Sequence, residues 1–506
     1  MNSRTKDIST AESEHFDLAI LGGGIHGAQM AREAVLRGYR VLLLEARDYA
    51  FGTSSRSSKM LHGGVRYLES GDFSLVRESL LERAMWLRQA PHLAKKQEFW
   101  IPSIKDKTRP AWQIRFGLWL YDMLGKFGNL GEGFPSSKLH SVSSAEVEQL
   151  KNLGLSCEGL CSYFDGQMDD ARLVIESILD ARMLGATCLN YAPVSSLERA
   201  QDWLITWKSS EGEHQSKAKF VVNLTGPWVP EVHKLSGIEW DSSWPKPVFS
   251  RGTHLLFDVA WNLPGLVLPT PVQGRYYFVW PYFSPLGGKT LVGTTDRAML
   301  QNEPDPQASE SEIEELLSYV KADLPGAGLD QSKLYKTFAG MRILAGSSDF
   351  NNVSSVSREC YWITSDRYLA LLGGKYTSAR KTAEDGLKKV DSFFGKKFSK
   401  PLSLQRVLPG AVGIEGFSRK SLSETLAQSF DDQTLIEQHS ERLFNVFGVR
   451  ASEVLSYLDS TNKDINDVVF KAQCLYAKEF EQAQTMDDVL RRRTGLSLEI
   501  GVESGK

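Results

Sequence analysis

A glycine-rich turn between an apolar strand and a helix at residues 16–45, strand-to-glycine junctions near 219–230 and 368–380, and amphipathic helical patterning after residue 399 predict an α/β + α chain. The expected fold is a Rossmann-type nucleotide-binding domain assembled from separated segments, a mostly antiparallel sheet beside it, and a helical C-terminal domain. The expected boundaries are 1–100, 155–235 and 355–398 for the first, 101–154 and 236–354 for a substrate-binding domain, and 399–506 for a helical cap.

The first element carries the strongest signal. Leu18–Leu21 reads as a strand, Gly22-Gly23-Gly24-Ile25-His26-Gly27 follows with G-x-G-x-x-G spacing, a helix comes next, and a second strand, Val41–Leu44, ends on Glu45. Gly22 permits a tight turn, Gly24 lets a pyrophosphate approach the backbone, and Gly27 lets helix and strand pack closely. The helix N-terminus offers N–H groups to phosphate, and Glu45 can accept from an adenosine ribose. His26 reads as a turn residue.

The run TSSRSSKMLHGGVRYLE, residues 53–69, comes next. It is too polar for a core strand and too apolar for a linker. If the segment serves a flavin, Thr53, Ser54 and Ser58 would offer hydroxyls to phosphate and ribityl oxygens, Gly63 and Gly64 would allow backbone to lie close to the ring, and Lys59 and His62 would bring charge near it. In that case Arg66 and Tyr67 would emerge on the substrate side. A serine turn capping a helix is the plain alternative.

Farther along, KFVVNLTGPWVP places Thr225 and Gly226 after a strand, and YLALLGGKYTSAR places Gly374, Lys375 and Thr377 at a strand-to-helix junction. A second helix N-terminus aimed at a cofactor would stabilise the negative charge of a reduced flavin, so FAD is favoured over NAD. Strand-like runs fill 240–350, a serine- and asparagine-rich patch at 347–357 reads as a surface loop, and helical stretches are expected near 419–430, 434–447 and 466–480.

Composition bounds the rest. The chain has 506 residues, 59 Lys+Arg against 62 Asp+Glu, and a formal net charge of −3, which gives no bulk positive charge for nucleic acid. Its 5 cysteines form no CxxC pair, which fits a reducing, cytoplasmic compartment; Cys157 and Cys161 read as small buried side chains, and no metal-ligand motif such as HExxH occurs. No apolar run reaches the about 18 residues a membrane span needs. RPAWQIRFGLWLYDMLGK interleaves aromatics and cations as interfacial helices do, yet is apolar nearly all round and reads first as a buried helix.

GGGIHGAQMAREAVLRG, TSSRSSKMLHGGVRYLE, VNLTGPWV, SRGTHLLF, LVGTTD, AGMR, GGKYT and TMDDVLRRRTGL, in this order, resemble the FAD-dependent glycerol-3-phosphate dehydrogenases over most of the chain. The resemblance implies oxidation of sn-glycerol 3-phosphate, a small phosphorylated polyol, to dihydroxyacetone phosphate, with electrons passing through FAD to a quinone. It implies Arg66, Arg342 and Arg358 as phosphate and substrate clamps, Tyr67 as an orienting hydroxyl, His254 as the base, and Lys375 facing flavin or substrate. His254 also fits a hydrogen-bonded interior histidine, and His62 is its rival as base. Peripheral contact with the cytoplasmic membrane and a homodimer are further expectations. Two alternatives stay open: an oxidase of the same fold using oxygen or another 2-hydroxy or 2-amino acid, and a flavin-binding protein without turnover.

Overall fold

The computed structural model of the chain describes residues 3–69, 71–126, 133–272, 274–282, 288–346, 360–398, 400–459 and 461–499. Its first sheet runs in the order Tyr361–Ser365, Tyr368–Leu372, Gly212–Asn223, His15–Leu21, Val41–Leu44, Thr187–Leu189. The four junctions from Tyr368–Leu372 to Thr187–Leu189 are parallel, and the hairpin Val194–Arg199 with Trp203–Ser209 joins Gly212–Asn223 antiparallel.

Near-continuous apolar strands suit a sheet buried on both faces. Leu18, Ile20, Val41 and Leu43 enter one core with Ala28, Ala31, Leu173, Ile178, Ala383 and Leu387 from the helices Ile25–Leu36, Asp170–Met183 and Ala379–Phe393. The alternate residues Ala19, Leu21, Leu42 and Leu44 enter a second core with Trp203, Ile205 and Trp207 of the hairpin. One strand therefore feeds two hydrophobic layers through its period of two.

The second sheet is mostly antiparallel. Lys246–Phe257 pairs with Leu334–Gly346 and with Lys289–Gly293, setting Ser250 opposite Arg342 and His254 opposite Phe338 and Gly293. Strands Met60–Leu61 and Gly159–Met168, and most of Ala94–Ser103, lie in ranges expected to belong to the nucleotide-binding domain, yet hydrogen-bond into this second sheet. The reason is packing: Phe99, Ile101, Cys161 and Tyr163 share a core with Leu256, Trp280 and Leu291.

The C-terminal helices Arg419–Leu426, Gln433–Phe447 and Ile465–Glu479 bury Leu422, Ile436, Leu443, Val468 and Tyr476 in a core of their own. The aromatic stretch expected to be a buried helix forms Ala111–Lys126, and only one side is buried. Leu118 and Tyr121 face the core, whereas Trp112, Phe116 and Trp119 are 66%, 61% and 46% exposed. The split follows the helical repeat, which places 112, 116 and 119 on one face. Among the described residues, no helix is long and apolar enough to cross a membrane.

Candidate active site

The parallel strands end at a common crevice. Leu21, Leu44, Leu224 and Gly373, each at or just past the carboxyl end of one of them, line a cavity of about 920 Å³, where ligands of open α/β sheets sit.

The glycines are explained position by position. Gly22 has φ +109°, and a Cβ there would lie 2.6 Å from the Leu224 carbonyl oxygen. Gly27 does not line the cavity; a Cβ on it would collide with the Gly22 carbonyl oxygen, so it sets the close helix–strand contact. Gly24 lines the cavity, and its nearest neighbour for an added Cβ is the Ser54 hydroxyl at 3.1 Å. Ser54 accepts from the Ile25 N–H at 3.0 Å, and Glu45 accepts from the N–H groups of Gly23 at 2.6 Å and Arg47 at 2.8 Å. Burial pushes the Glu45 carboxyl above its usual range, with the two N–H groups pulling the other way.

The serine-rich run divides its labour. Thr53 donates to the Met341 carbonyl, Ser57 donates to Asp170 at 2.6 Å, and Ser58 Oγ lies 2.9 Å from His254 Nε2. Lys59 is ion-paired with buried Asp170 and also donates to the Ser55 carbonyl at 2.9 Å. It is therefore a fastener of the run, not the cation at the flavin that its position in sequence suggested. Gly63 donates to the Tyr121 hydroxyl at 2.8 Å, and Gly64, at φ +75°, turns the chain so that Tyr67 packs across it. His62, Arg66 and Tyr67 line the cavity.

From the second sheet, Arg342 lines the cavity with its guanidinium 3.5 Å from Asp296 and 3.4 Å from the Thr294 hydroxyl. Thr225, Gly226, Gly374, Lys375 and Thr377 also line it. The helix expected to begin at Thr377 begins at Ala379. Lys375 Nζ stands 4.0 Å from the Tyr67 ring centroid. Arg358 and the patch at 347–357 lie outside the described residues.

His254 stands apart. It is 1% exposed, stacks on Phe338 at 4.8 Å, and does not line the cavity; Ser58 stands between them. Burial, then the charges of Arg342 and Lys59, push its imidazole down to about 3, so it is neutral near pH 7.

Sequence reasoning missed Asp165, a cavity-lining carboxylate that pairs with Arg83 at 2.6 Å and accepts from the Tyr121 hydroxyl at 2.8 Å. A carboxylate inside the apolar strand Gly159–Met168 was the available signal. It also missed Asp48, which accepts from Arg492 and Arg493; the arginine run before Thr494 was the hint.

The long groove of backbone N–H groups, hydroxyls and terminal acid fits a dinucleotide, and the cations beyond it fit an anionic substrate. Residues 17–375 match the family described as FAD dependent oxidoreductase, and residues 403–504 match the C-terminal domain of alpha-glycerophosphate oxidase. A glycerol-3-phosphate dehydrogenase of Synechocystis sp. is 33% identical, covering 97% of this chain and 91% of that protein. A D-erythritol 1-phosphate dehydrogenase of Brucella abortus is 32% identical over 96% and 95%, and the aerobic glycerol-3-phosphate dehydrogenase of Escherichia coli 31% identical over 94% and 93%. In fold, the chain superposes on a glycerol-3-phosphate dehydrogenase from Bacillus halodurans complexed with FAD with TM-score 0.73 at 24% identity, covering 98% of this chain and 89% of that one. The chain thus belongs to the FAD-dependent oxidoreductases and, among them, to the glycerol-3-phosphate dehydrogenase family.

Proposed function

We propose that this enzyme oxidises sn-glycerol 3-phosphate to dihydroxyacetone phosphate and passes the electrons to a quinone. The observation that carries the reading is the meeting of Arg66, Arg342 and Lys375 on the wall of the same cavity as the glycine fingerprint. Bound FAD supplies the hydride acceptor. Arginine suits the phosphate because its planar fork pairs two oxygens at once. Lys375, steadied against Tyr67, places positive charge near the reacting end.

As hydride leaves the secondary carbon, the hydroxyl on that carbon loses its proton. Two histidines can take it: His254, reached through the Ser58 hydroxyl, and His62 on the cavity wall. We assign the role to the His254–Ser58 pair, in which a hydroxyl on the cavity wall lies 2.9 Å from the imidazole. The exposed face of Trp112, Phe116 and Trp119, flanked by Arg109, Arg115 and Lys126, supports peripheral contact with a membrane surface, where a quinone resides. Phe116 belongs both to this face and to the cavity lining.

The test is anaerobic addition of glycerol 3-phosphate to the purified protein while the flavin absorbance is followed. Bleaching that a soluble quinone reverses faster than oxygen supports the reading; faster recovery with oxygen makes the protein an oxidase. The Brucella abortus relative favours one second reading, a four-carbon polyol phosphate. Faster bleaching by D-erythritol 1-phosphate would select it, and no bleaching by either compound would sink both.

A further inference from the structure

The loop that follows Glu45 is held from behind by the C-terminal segment. Ala46, Arg47, Phe51 and Gly52 line the cavity beyond the fingerprint, and the Ala50 N–H donates to the Gly23 carbonyl at 3.0 Å. Asp48, in the middle of this loop, is fully buried and does not line the cavity. It accepts from Arg492 Nε at 2.6 Å, from Arg493 at 2.8 Å on each oxygen, and from Asn190 at 2.9 Å. Arg493 and Arg492 outweigh the burial that would raise the Asp48 carboxyl and hold it at about 2.

The hold is reinforced on both sides. Tyr49 donates to Gln482 at 2.7 Å, Tyr191 donates to Asp488 at 2.7 Å, and Arg492 also reaches Asp488 at 2.6 Å. Arg492 stands 5.6 Å from the ring centroid of Phe51, itself on the cavity wall. A buried charge pair of this kind adds little net stability but strongly constrains geometry, because leaving one partner alone in the interior is costly.

We propose that Asp48, Arg492 and Arg493 are positioning residues for the cofactor: the C-terminal segment clamps the loop after Glu45 in the shape that receives the adenosine half of FAD. This rests on the FAD reading of the cavity and is independent of which polyol phosphate is oxidised. FAD affinity should then depend on residues that never touch FAD, and FAD binding should in return tighten the clamp.

The experiment uses Arg492→Gln, which leaves Asp48 paired with Arg493. Protein stripped of flavin is titrated with FAD in the absence of substrate, and its FAD-free melting temperature is measured alongside. The expected result is a dissociation constant raised tenfold or more, a lower FAD-free melting temperature because buried Asp488 loses its cation, and partial rescue of both by Arg492→Lys. An unchanged dissociation constant overturns the proposal, as does an equal affinity loss in Leu443→Ala, a control that lowers the FAD-free melting temperature from the separate C-terminal core. Should Arg492→Gln fail to fold, hydrogen exchange on the wild type decides. Residues 485–494 must gain protection on FAD addition together with 46–52, and protection confined to 46–52 refutes the clamp. Because no substrate is present, neither arm depends on whether glycerol 3-phosphate reduces the flavin.

Discussion

The ammonium of Lys375 lies 4.0 Å from the centroid of the Tyr67 ring, joining the turn after the strand Tyr368–Leu372 to the end of the serine-rich run. A desolvated cation–π contact contributes roughly 1–2 kcal/mol. Tyr67→Leu should therefore weaken substrate binding by about five- to thirtyfold beyond the effect of Tyr67→Phe, which keeps the ring and loses only the hydroxyl. Equal effects of the two substitutions on KM would show that the ring does not hold Lys375 in place.

Arg342 tests the clamp. Arg342→Lys keeps the charge and loses the fork that faces Asp296 and Thr294. Losing a charge-assisted bond costs roughly 1.5–3 kcal/mol, about ten- to more than a hundredfold in substrate affinity, with FAD content unchanged. Unphosphorylated glycerol should be a poor substrate for the wild type. Equal turnover of glycerol and glycerol 3-phosphate would contradict a phosphate pocket.

Gly24→Val separates cofactor binding from folding. An added Cβ there meets only the Ser54 hydroxyl, at 3.1 Å, so a small shift of one serine side chain accommodates it while the approach of a pyrophosphate is blocked. The variant should purify folded and nearly colourless. A yellow, fully loaded Gly24→Val protein would remove the cradle assignment.

The base is assigned by pH. His254→Ala should keep its FAD and slow flavin reduction by about 10²–10⁴-fold. Since burial holds the His254 imidazole down to about 3, a rate limb belonging to it lies far below the ordinary histidine range of about 6.5. An acid limb near pH 6–7 that persists in His254→Ala and vanishes in His62→Ala would transfer the role to His62.

Stability should fall in mild acid through a histidine outside the active site. His92 is 2% exposed, and burial, then the Arg172 and Lys95 charges, push its imidazole down to about 3. In the unfolded chain it titrates near the ordinary value of about 6.5, so below that pH the unfolded state takes up a proton that the folded state refuses. The folded state is thus at full strength above about pH 6.5 and loses stability as pH falls toward about 3. Between pH 7.5 and pH 5 this one group should cost roughly 2 kcal/mol, and urea unfolding of His92→Gln should lack that share of the loss. Parallel pH profiles for the two proteins would contradict it.

Much of this molecule was legible in its sequence because the signals are local. The strand–glycine–helix–strand order from Leu18 to Glu45 depends on backbone conformation and nearest neighbours, and the helices Gln433–Phe447 and Ile465–Glu479 announce themselves through their apolar repeat. The cavity wall also follows from local order, since Glu45, Thr225 and Lys375 each come in the turn that follows a parallel strand. Side-chain partnership over long separations is decided by packing, and no local pattern encodes it. Only the tertiary structure turned Lys59 to Asp170 across 111 positions, set Ser58 between His254 and the cavity, and brought Arg493 to Asp48 across 445. Only packing chose the face of Ala111–Lys126 that stays exposed, because a helix apolar nearly all round has no preferred inside until a core claims Leu118 and Tyr121.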